Sequence, residues 1–329
     1  MPRLVSSASA AVAVALALTL TACGGSSTDN GPSAASSGKA DGKLTSVKVG
    51  VIPIVDVAPI YMGVEQGFFK DEGLDVTLEL AQGGAAIVPA VMSGQYQFGF
   101  SNTTSLLLAS NKGLPLKILT AGAVSTGKAG ADFGAVVAMP DSGVKSAADL
   151  AGKTVAVNTL KNIGDTTVRA VIDKAGADAD SAKFVEMGFP DMPAAVNDGQ
   201  VDAAWIVEPH LTRAIQAGAK VVSWNFADTD PDLLVATYFT SAQRIAEDPE
   251  VVEGFTAAMK KSLEFAQNNP DKVRAVLDSY TEIDPSVKKA MVLPRFVPDA
   301  GPKAIQRLAD LGLKYGMFDK AVDTKKLQP

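Results

Sequence analysis

The sequence predicts an α/β protein in which mostly parallel sheets are flanked by helices. From Leu44 onward, short runs of β-branched residues alternate with helical runs, and this alternation is typical of parallel sheets. Proline near the start of several helical runs and glycine at their ends supply the usual helix boundaries. The composition, 47% hydrophobic and 20% charged, is that of a well-packed globular protein, and 329 residues are enough for roughly two domains.

The β-branched runs predict strands along most of the chain. The run 74–80 alternates in side-chain character, as a half-buried strand does. The strands are predicted at 47–52, 74–80, 96–100, 116–120, 134–139, 154–157, 183–187, 202–207, 220–222 and 233–240.

Helices are predicted between these strands and throughout the C-terminal tail. Pro59 near the first turn and Gly67 at the end delimit the first helix. Hydroxyl and amide groups at 101–103 supply caps for a helix that ends at Asn111. The other helices are predicted at 85–93, 164–175, 192–198, 209–216, 249–267, 270–280, 285–292 and 303–314.

The charge balance and the rare residue types exclude several classes of protein. There are 30 basic and 36 acidic residues, a net charge of −6, so the chain has no global electrostatic reason to bind nucleic acid. A single cysteine cannot form an internal disulfide or a thiolate-rich metal site. His210 is the only histidine, which excludes a His-pair metal site, and it is expected to be exposed on the first turn of a helix. No metal and no cofactor are expected.

Residues 1–22 are predicted to be a signal peptide. The apolar run at 8–20 is too short to cross the hydrocarbon core as a helix, which needs about 20 residues. The tetrapeptide Leu-Thr-Ala-Cys that ends at Cys23 resembles a bacterial lipobox, which is cleaved just before a lipid-bearing cysteine. Cys23 is the only cysteine of the chain, and the alternative is a stray cysteine after an ordinary signal peptide.

A flexible linker is predicted to follow Cys23. Residues 24–43 are rich in Gly and Ser and have no apolar periodicity. Twenty such residues have a root-mean-square reach of roughly 25 Å. The expected arrangement is a folded body tethered to the extracytoplasmic face of the cell membrane by a lipid anchor on Cys23.

Polar residues and glycines cluster in the loops that follow the predicted strands. In open α/β sheets ligands bind just beyond the carboxyl ends of the strands, where helix N-termini offer free N–H groups. Ordinary caps and turns explain any single one of these residues, but their recurrence in six consecutive loops predicts a ligand crevice. The loops lie at 53–56, 83–84, 101–103, 158–165, 188–191 and 208.

Four segments carry a family resemblance. Residues 58–76, APIYMGVEQGFFKDEGLDV, closely resemble the opening of substrate-binding proteins of the nitrate/sulfonate/taurine group of ABC importers, which includes binders of the thiamin pyrimidine precursor. Segments 90–99, 148–157 and 198–209 are also similar, and their order and spacing match over about 47–261. The resemblance implies a two-lobed periplasmic-binding-protein fold of type II, in which each lobe is a mostly parallel sheet flanked by helices and two hinge crossings join the lobes.

The resemblance also implies domain boundaries. Carried onto this sequence, it places the first crossing near 139–141 and the return near 231–234. Lobe I is then expected at 44–139 plus 235–329, and lobe II at 140–234. Polar loops of both lobes would face one another, so that ligand contacts favour the closed state by differential binding.

The candidate ligand-binding residues come from the loops of both lobes. Helix N-termini and hydroxyls suit an oxyanion, whereas Asp56, Asp165 and Glu208, in loops without arginine, favour a ligand with N–H donors or positive charge. Trp205 and Tyr61 could stack on a ring. Alternatively, the acids at 165 and 208 are only helix caps, and Trp205 is only a core residue. The candidates are Pro53, Asp56, Tyr61, Gly83, Gly84, Ser101, Asn102 and Thr103 in lobe I, and Asn158, Asn162, Gly164, Asp165, Thr166, Phe189, Trp205 and Glu208 in lobe II.

The resemblance implies a solute-binding lipoprotein of an ABC importer rather than an enzyme. It would act as a monomer, capture a small polar molecule of the sulfonate, nitrate or taurine type or a pyrimidine-type heterocycle, and deliver it to the permease and its ATPase. A ligand-sensing module for a membrane receptor needs the same fold and stays an alternative. So does an enzyme like the thiamin-pyrimidine synthases, although the resemblance implies His- and Cys-rich segments for that chemistry, and this chain has one residue of each type.

Overall fold

The computed structural model describes residues 43–299 and 301–329. The expected signal peptide at 1–22, the lipid-bearing Cys23 and the linker up to residue 42 lie outside the described residues. None of the helices in the described ranges is both long enough and apolar enough to cross a lipid bilayer.

Among the described residues, the strands form two five-stranded sheets and a short two-stranded ribbon. The strands are β1 (Thr45–Val51), β2 (Leu74–Leu80), β3 (Phe98–Asn102), β4 (Leu116–Ala121), β5 (Ala123–Val124), β6 (Gly134–Ala138), β7 (Thr154–Val157), β8 (Lys183–Glu186), β9 (Ala203–Val207), β10 (Lys220–Ser223), β11 (Ala236–Ser241) and β12 (Arg295–Phe296). The first sheet has the order β2-β1-β3-β11-β4, the second has the order β10-β6-β9-β7-β8, and β12 pairs with β5.

Each sheet contains one strand that runs against the others. In the first sheet, β11 is antiparallel to β3 and β4, while β1 is parallel to β2 and β3. In the second sheet, β6 is antiparallel to β9 and β10, while β7 is parallel to β8 and β9. The prediction of mostly parallel sheets flanked by helices is therefore confirmed, and the carboxyl ends of the parallel strands lie at one edge of each sheet.

Helices connect the strands and form the tail. Most match the predicted positions to within a few residues, and the short helices α2, α8 and α9 were not predicted. The helices of the described ranges are α1 (Ala58–Glu65), α2 (Phe68–Asp71), α3 (Gly84–Met92), α4 (Thr103–Asn111), α5 (Ile163–Lys174), α6 (Met192–Asn197), α7 (His210–Gln216), α8 (Asn225–Thr229), α9 (Ala242–Glu247), α10 (Pro249–Asn268), α11 (Pro270–Val276), α12 (Pro285–Ala290) and α13 (Pro302–Lys314).

The pairing of β6 differs from the expected domain boundary. The boundary at 139 put residues 134–138 in lobe I, but this strand pairs with β9 and β10 in the second sheet. The chain therefore passes from the first sheet to the second before Gly134. A strand pattern identifies a strand but not its neighbours, so the sequence could not decide this membership. On the return, β11 lies in the first sheet, as the boundary at 235 requires.

The two connections between the sheets run side by side. The backbone N–H of Ser125 donates to the Leu233 carbonyl and that of Val235 to the Ala123 carbonyl, both at 3.0 Å. The buried Asp132 carboxylate organises the outgoing connection, because it accepts hydrogen bonds from the Ser125 hydroxyl and from the backbone N–H groups of Thr126 and Phe133. The paired connections form a compact junction between the sheets.

The C-terminal tail returns to the first sheet through α10. The fully buried Phe255 ring stacks on Phe98 of β3 with a centroid separation of 3.8 Å, and it also contacts Phe69. Farther along, α13 packs against both α4 and α5, and the Tyr315 hydroxyl donates to Asp173 of α5 at 3.1 Å. The tail thus completes the core of the first sheet and touches helices that flank both sheets.

Phe255→Ala is expected to lower the free energy of unfolding by about 3–5 kcal/mol, because it leaves a cavity beside the Phe69 and Phe98 rings. Urea unfolding would measure the change. The control is Leu80→Ala, at a side chain 56% exposed, with an expected change within about 0.5 kcal/mol. Equal effects of the two substitutions would contradict this packing.

Candidate functional site

A small chamber lies between the carboxyl ends of the two sheets. Its cavity volume is about 20 Å³, enough for roughly one water molecule. Most of its wall is apolar, and its polar lining side chains are Asp56, Asn102, Asn158 and Trp205. The lining residues are Ile52, Ile54, Asp56, Phe100, Asn102, Asn158, Ile163, Phe189, Trp205, Val207, Val235 and Ala236.

A larger groove adjoins the chamber, and Ile52, Ile54 and Phe189 line both spaces. Its volume is about 410 Å³, within the usual range for small-molecule sites. Loops after β1, β2 and β8 supply most of the wall, so both sheets contribute. The lining residues are Ile52, Pro53, Ile54, Leu80, Ala81, Gln82, Gly188, Phe189, Pro190, Asp191 and His210.

Asp56 brings a carboxylate into the chamber from the single 3-10 turn that follows β1. The residue is 2% exposed, and its Oδ1 atom has no hydrogen-bond partner among the described residues. Burial raises the pKa of Asp56 to about 7; its own backbone N–H acts against the rise, and the Asp132 charge adds to it. A buried carboxylate with an unused acceptor atom is a strong site for a donated N–H or O–H.

Three tyrosines lie near Asp56. Tyr61 stacks on Tyr280 at 4.0 Å between ring centroids, and the Tyr280 hydroxyl donates to the Ile54 carbonyl at 3.1 Å. The fully buried Tyr238 hydroxyl has no partner among the described residues. Burial raises the pKa of Tyr238 well above its usual value, and the Asp56 charge contributes. The predicted ring-stacking residue Tyr61 is therefore already stacked on another ring of the protein.

The second sheet faces Asp56 with an amide and an indole. Asn158 follows β7, and Trp205 lies in β9; both are buried, and Asn158 Oδ1 and Trp205 Nε1 have no partner among the described residues. Trp205 contacts Phe189 and Phe226 edge-to-face at 5.4 and 5.7 Å. The N-terminus of α5 approaches the indole closely because residue 164 is glycine: a Cβ there would lie 2.6 Å from the Trp205 ring.

Polar contacts join the two sides near the chamber. Asn162, the N-cap of α5, accepts from its neighbour Ile163 and donates to the Ser105 hydroxyl of α4 at 2.7 Å. Asn102, the N-cap of α4, accepts from the Ser105 backbone N–H at 2.9 Å. The Val55 backbone N–H donates to the Glu208 carbonyl at 3.2 Å. The Asn162–Ser105 and Val55–Glu208 bonds connect elements of the first sheet to elements of the second, whereas the Asn102–Ser105 bond lies within the start of α4.

Glu208 is buried but does not line either space. Its carboxylate accepts from the backbone N–H and the hydroxyl of Thr212, and from the Val292 backbone N–H at 3.2 Å. Burial raises the pKa of Glu208 to about 7, against the lowering by these hydrogen bonds. The residue thus connects the first turn of α7 to the segment after α12.

Asp165 also lies outside the lining of both spaces. One of its oxygens accepts from the Lys161 backbone N–H at 3.0 Å in the first turn of α5. Burial raises the pKa of Asp165 to about 6, and hydrogen bonds to backbone N–H groups and the Arg169 charge oppose the rise. This geometry matches a residue that stabilises a helix start.

Several other candidates have partners within the protein. The Thr103 hydroxyl donates to the Leu234 carbonyl at 2.8 Å, the Thr166 hydroxyl to the Asn162 carbonyl at 2.9 Å, and the Ser101 hydroxyl to the Asn102 carbonyl at 3.3 Å. Gly84 and Asn162 line a third space of about 200 Å³ between α3, α4 and the start of α5. Gly83 lies opposite Asn158 and Thr159.

The structure brings part of the predicted set together. The chamber gathers Asp56, Asn102, Asn158, Phe189 and Trp205, and the groove gathers Phe189 with Pro53. The remaining candidates lie outside these two linings, and a role in ligand contact for any of them stays a prediction. They are Tyr61, Gly83, Gly84, Ser101, Thr103, Asn162, Gly164, Asp165, Thr166 and Glu208.

Sequence reasoning missed most of the apolar wall and one titratable residue. His210 was expected to be exposed, which is wrong: it is 8% exposed and lines the groove, and burial with the Arg213 charge lowers its pKa to about 4. His210 lies in the first turn of a helix after a proline, and one turn is too short for the apolar periodicity to show whether its side chain is buried. Gln82 and Asp191 are polar residues in loops that follow strands, so the rule that selected the other candidates could have found them. The strand residues of the wall are apolar, and nothing in the sequence distinguishes them from core residues.

Across 43–299 and 301–329, no group of three or more His, Cys, Asp or Glu side chains is arranged to hold a metal ion. The polar atoms of the chamber are instead one carboxylate oxygen, two amides and one indole N–H, which together can accept and donate hydrogen bonds.

Comparisons with known proteins agree on one family. The family model described as "NMT1/THI5 like" matches residues 54–273. The formylaminopyrimidine-binding protein of Halalkalibacterium halodurans is 24% identical over 223 residues, which cover 66% of this chain and 64% of that protein, less than two thirds of its length. The 4-amino-5-hydroxymethyl-2-methylpyrimidine phosphate synthase of Aspergillus parasiticus is 24% identical over 69% of this chain and 67% of its own.

Solved structures give the same fold. The periplasmic aliphatic sulphonate binding protein SsuA of Escherichia coli superposes with a TM-score of 0.70 at 17% identity, covering 86% of this chain and 92% of that chain. The periplasmic-binding-protein fold expected from the sequence is therefore confirmed.

The pH dependence of stability should report on the buried Asp56. Its folded pKa of about 7 exceeds the unfolded value of about 4, so the folded protein binds a proton that the unfolded chain has lost, and stability falls as pH rises from about 4 to 7. Asp56→Asn removes the Asp56 contribution and should flatten the fall in stability by an amount on the order of a few kcal/mol between about pH 4 and pH 7.

Urea unfolding of both variants at several pH values measures the difference. Glu208 and Asp165 act in the same direction as Asp56, and His210 acts in the opposite direction between about pH 4 and 6.5, but all three are common to both variants. Parallel stability curves for the two variants would show that Asp56 is not desolvated.

Proposed function

The chain belongs to the NMT1/THI5-like family, and we propose that it is the solute-binding component of an ABC importer. It captures a small polar molecule between two lobes and presents it to a membrane permease. The observation that carries the proposal is the chamber, in which polar atoms from both sheets lie buried without partners among the described residues. Buried polar groups ordinarily have hydrogen-bond partners, and a ligand that bridges Asp56 to Asn158 and Trp205 would supply them.

Capture works by closure of the two lobes. Lobe I consists of the first sheet with the tail, and lobe II of the second sheet, with the connections at 125–133 and 224–235 between them. A chamber of about 20 Å³ is too small to admit a metabolite as it stands, so entry requires the lobes to separate. Because ligand atoms would touch both sides only when the lobes are together, binding shifts the equilibrium toward the closed state.

The groove supplies the space for the body of the ligand. Its volume of about 410 Å³ and its mixture of apolar residues with Gln82, Asp191 and His210 suit a small molecule with few polar groups. The names of the relatives include a binder of a formylaminopyrimidine and a binder of aliphatic sulphonates. Both ligand classes, together with nitrate and taurine, remain within the proposed function.

We further propose that the protein works outside the cytoplasm as a monomer on a lipid anchor. The lipobox-like sequence ending at Cys23 and the linker after it support this placement. The partners are then the permease and its ATPase. A ligand sensor that signals to a receptor would use the same closure, and adjacent permease and ATPase genes would favour import over sensing.

Catalysis is the second candidate, and it is favoured by the synthase name of one relative. Binding is preferred because the buried polar atoms of the chamber comprise amide, indole and carboxylate groups, which are suited to recognition. The only cysteine, Cys23, is assigned to the anchor, and the only histidine, His210, lies in the groove with a lowered pKa.

Solute binding should be visible as thermal stabilisation of the full chain. A ligand at ~1,000 times its Kd adds roughly 4 kcal/mol, and a protein of this size gains ~2–4 °C per kcal/mol. The panel comprises alkanesulfonates, taurine, nitrate, aminopyrimidines, flavin fragments and amines.

The ligand found in this panel should bind about 2- to 10-fold more weakly to Ser105→Ala than to the wild type. The substitution removes the hydrogen bond from Asn162 to Ser105, which would otherwise stabilise the closed state.

Ser110→Ala is the matched control, since it makes the same change on α4 away from the inter-lobe contact. Equal affinities of the two variants would argue against closure through this bond. An absence of any ligand across the panel would favour a role other than solute capture.

Cys23→Ser should release the protein from the membrane. Without the thiol no lipid can be attached, so the protein is expected in the soluble fraction after cell lysis rather than in the membrane pellet. Membrane fractionation with an antibody against the folded body measures the distribution. If the variant stays in the pellet at the wild-type level, the anchor is not on Cys23.

A further inference from the structure

We infer that the chamber selects ligands that donate an N–H to Asp56 and rejects inorganic oxyanions and sulfonates. The inference rests on the proposed function of solute capture and names the chemical class of the solute. A small amino, amidine or ammonium group would enter the chamber, and the ring or chain that carries it would occupy the groove.

Asp56 is the anchor because it is the carboxylate with an unused atom in the lining. The residue is 2% exposed, and Oδ1 has no partner among the described residues. The chamber lining contains no Lys, Arg or His side chain that could neutralise it. An N–H donor would gain a charge-assisted hydrogen bond in a buried space, where such a bond is stronger than in bulk water.

The same surroundings disfavour an anion. The Asp132 carboxylate lies buried close enough to Asp56 to influence it, and its oxygens accept three donors within the junction. Like charges repel strongly in a space with little solvent screening. Of the tyrosines nearby, the partly buried Tyr280 donates to a backbone carbonyl, and the buried Tyr238 hydroxyl has no partner among the described residues.

The opposite wall adds complementary groups. Trp205 Nε1 is a donor without a partner, and Asn158 can present either end of its amide to a ligand. A group that both donates and accepts, such as a ring nitrogen beside an amino substituent, would satisfy Asp56 and Trp205 together. The chamber volume of about 20 Å³ has room for roughly one heavy atom, such as an amino nitrogen, so the rest of the ligand would lie in the groove.

The test compares matched probes on the full wild-type chain by calorimetry at about pH 8, where heterocyclic amines are largely uncharged. The probes are 2-aminopyridine and pyridine, which differ by one amino group, and the anions methanesulfonate and nitrate. We expect 2-aminopyridine to bind at least about 10-fold more tightly than the other three, because only this probe donates N–H groups to Asp56.

Asp56→Asn should weaken the binding of 2-aminopyridine by about 10- to 100-fold, because it keeps the shape but removes the charge. The control is Asp202→Asn, the same change at a carboxylate that accepts from the Thr154 backbone N–H at the opposite end of the second sheet. The control should retain wild-type affinity within about twofold. The comparison of probes needs only the wild type, so it remains decisive if Asp56→Asn does not fold.

Three results would overturn the inference. They are tighter binding of methanesulfonate or nitrate than of 2-aminopyridine, equal binding of 2-aminopyridine and pyridine, and no binding of 2-aminopyridine. Binding of an anion alone would leave solute capture standing and remove only the assigned ligand class. Failure of solute capture itself would be seen separately, as the absence of any ligand in the broader thermal panel.

Discussion

The burial of the Asp56 carboxylate between two sheets is the constraint on which the candidate site depends. Removing a carboxylate from water is costly unless hydrogen bonds or an opposite charge compensate. In this protein the compensation is incomplete, since one oxygen has no partner among the described residues and burial raises the pKa to about 7. The protein tolerates this cost at the point where both sheets end, which is where a ligand can supply the missing partner.

Two other buried carboxylates, those of Asp132 and Glu208, show what full compensation looks like. Asp132 accepts from one hydroxyl and two backbone N–H groups, and it organises the outgoing connection between the sheets. Glu208 accepts three donors and joins α7 to the segment after α12. These residues stabilise the junction and the helix starts. Asp56 differs from both in lining a cavity with one oxygen unused. Asp165 also has an oxygen without a partner among the described residues, but it lies outside the lining, so it is the position in the chamber together with the unused oxygen that distinguishes Asp56.

More of the fold than of the candidate site could be predicted from the sequence. The strands 74–80 and 154–157 were predicted to the residue, the first from its alternating side chains and the second from its β-branched residues. The sheet to which β6 belongs was not predictable, since it depends on pairing with β9 and β10 over long sequence separations. The periplasmic-binding-protein fold came from the family resemblance, which reflects the order of whole segments.

Within the site, residue type alone could not separate caps from contacts. Asn102 and Asn162 both cap helices, as side chains at these positions commonly do, yet Asn102 also lines the chamber. Asp165 and Asp56 both follow strands, but only Asp56 lies in the lining. The distinction depends on where the second sheet lies relative to the first, and this is a tertiary property that no local pattern records.

Closure can respond to a ligand because few polar bonds join the lobes near the chamber. The Asn162–Ser105 and Val55–Glu208 hydrogen bonds each contribute only about 0.5–1.5 kcal/mol net, which is similar to what one ligand contact provides. A solute that bonds to groups on both sides therefore adds a free energy comparable with that of the protein's own contacts. The connections at 125–133 and 224–235 are hydrogen-bonded to each other, so in the proposed closure they would act as the hinge between the two sheets.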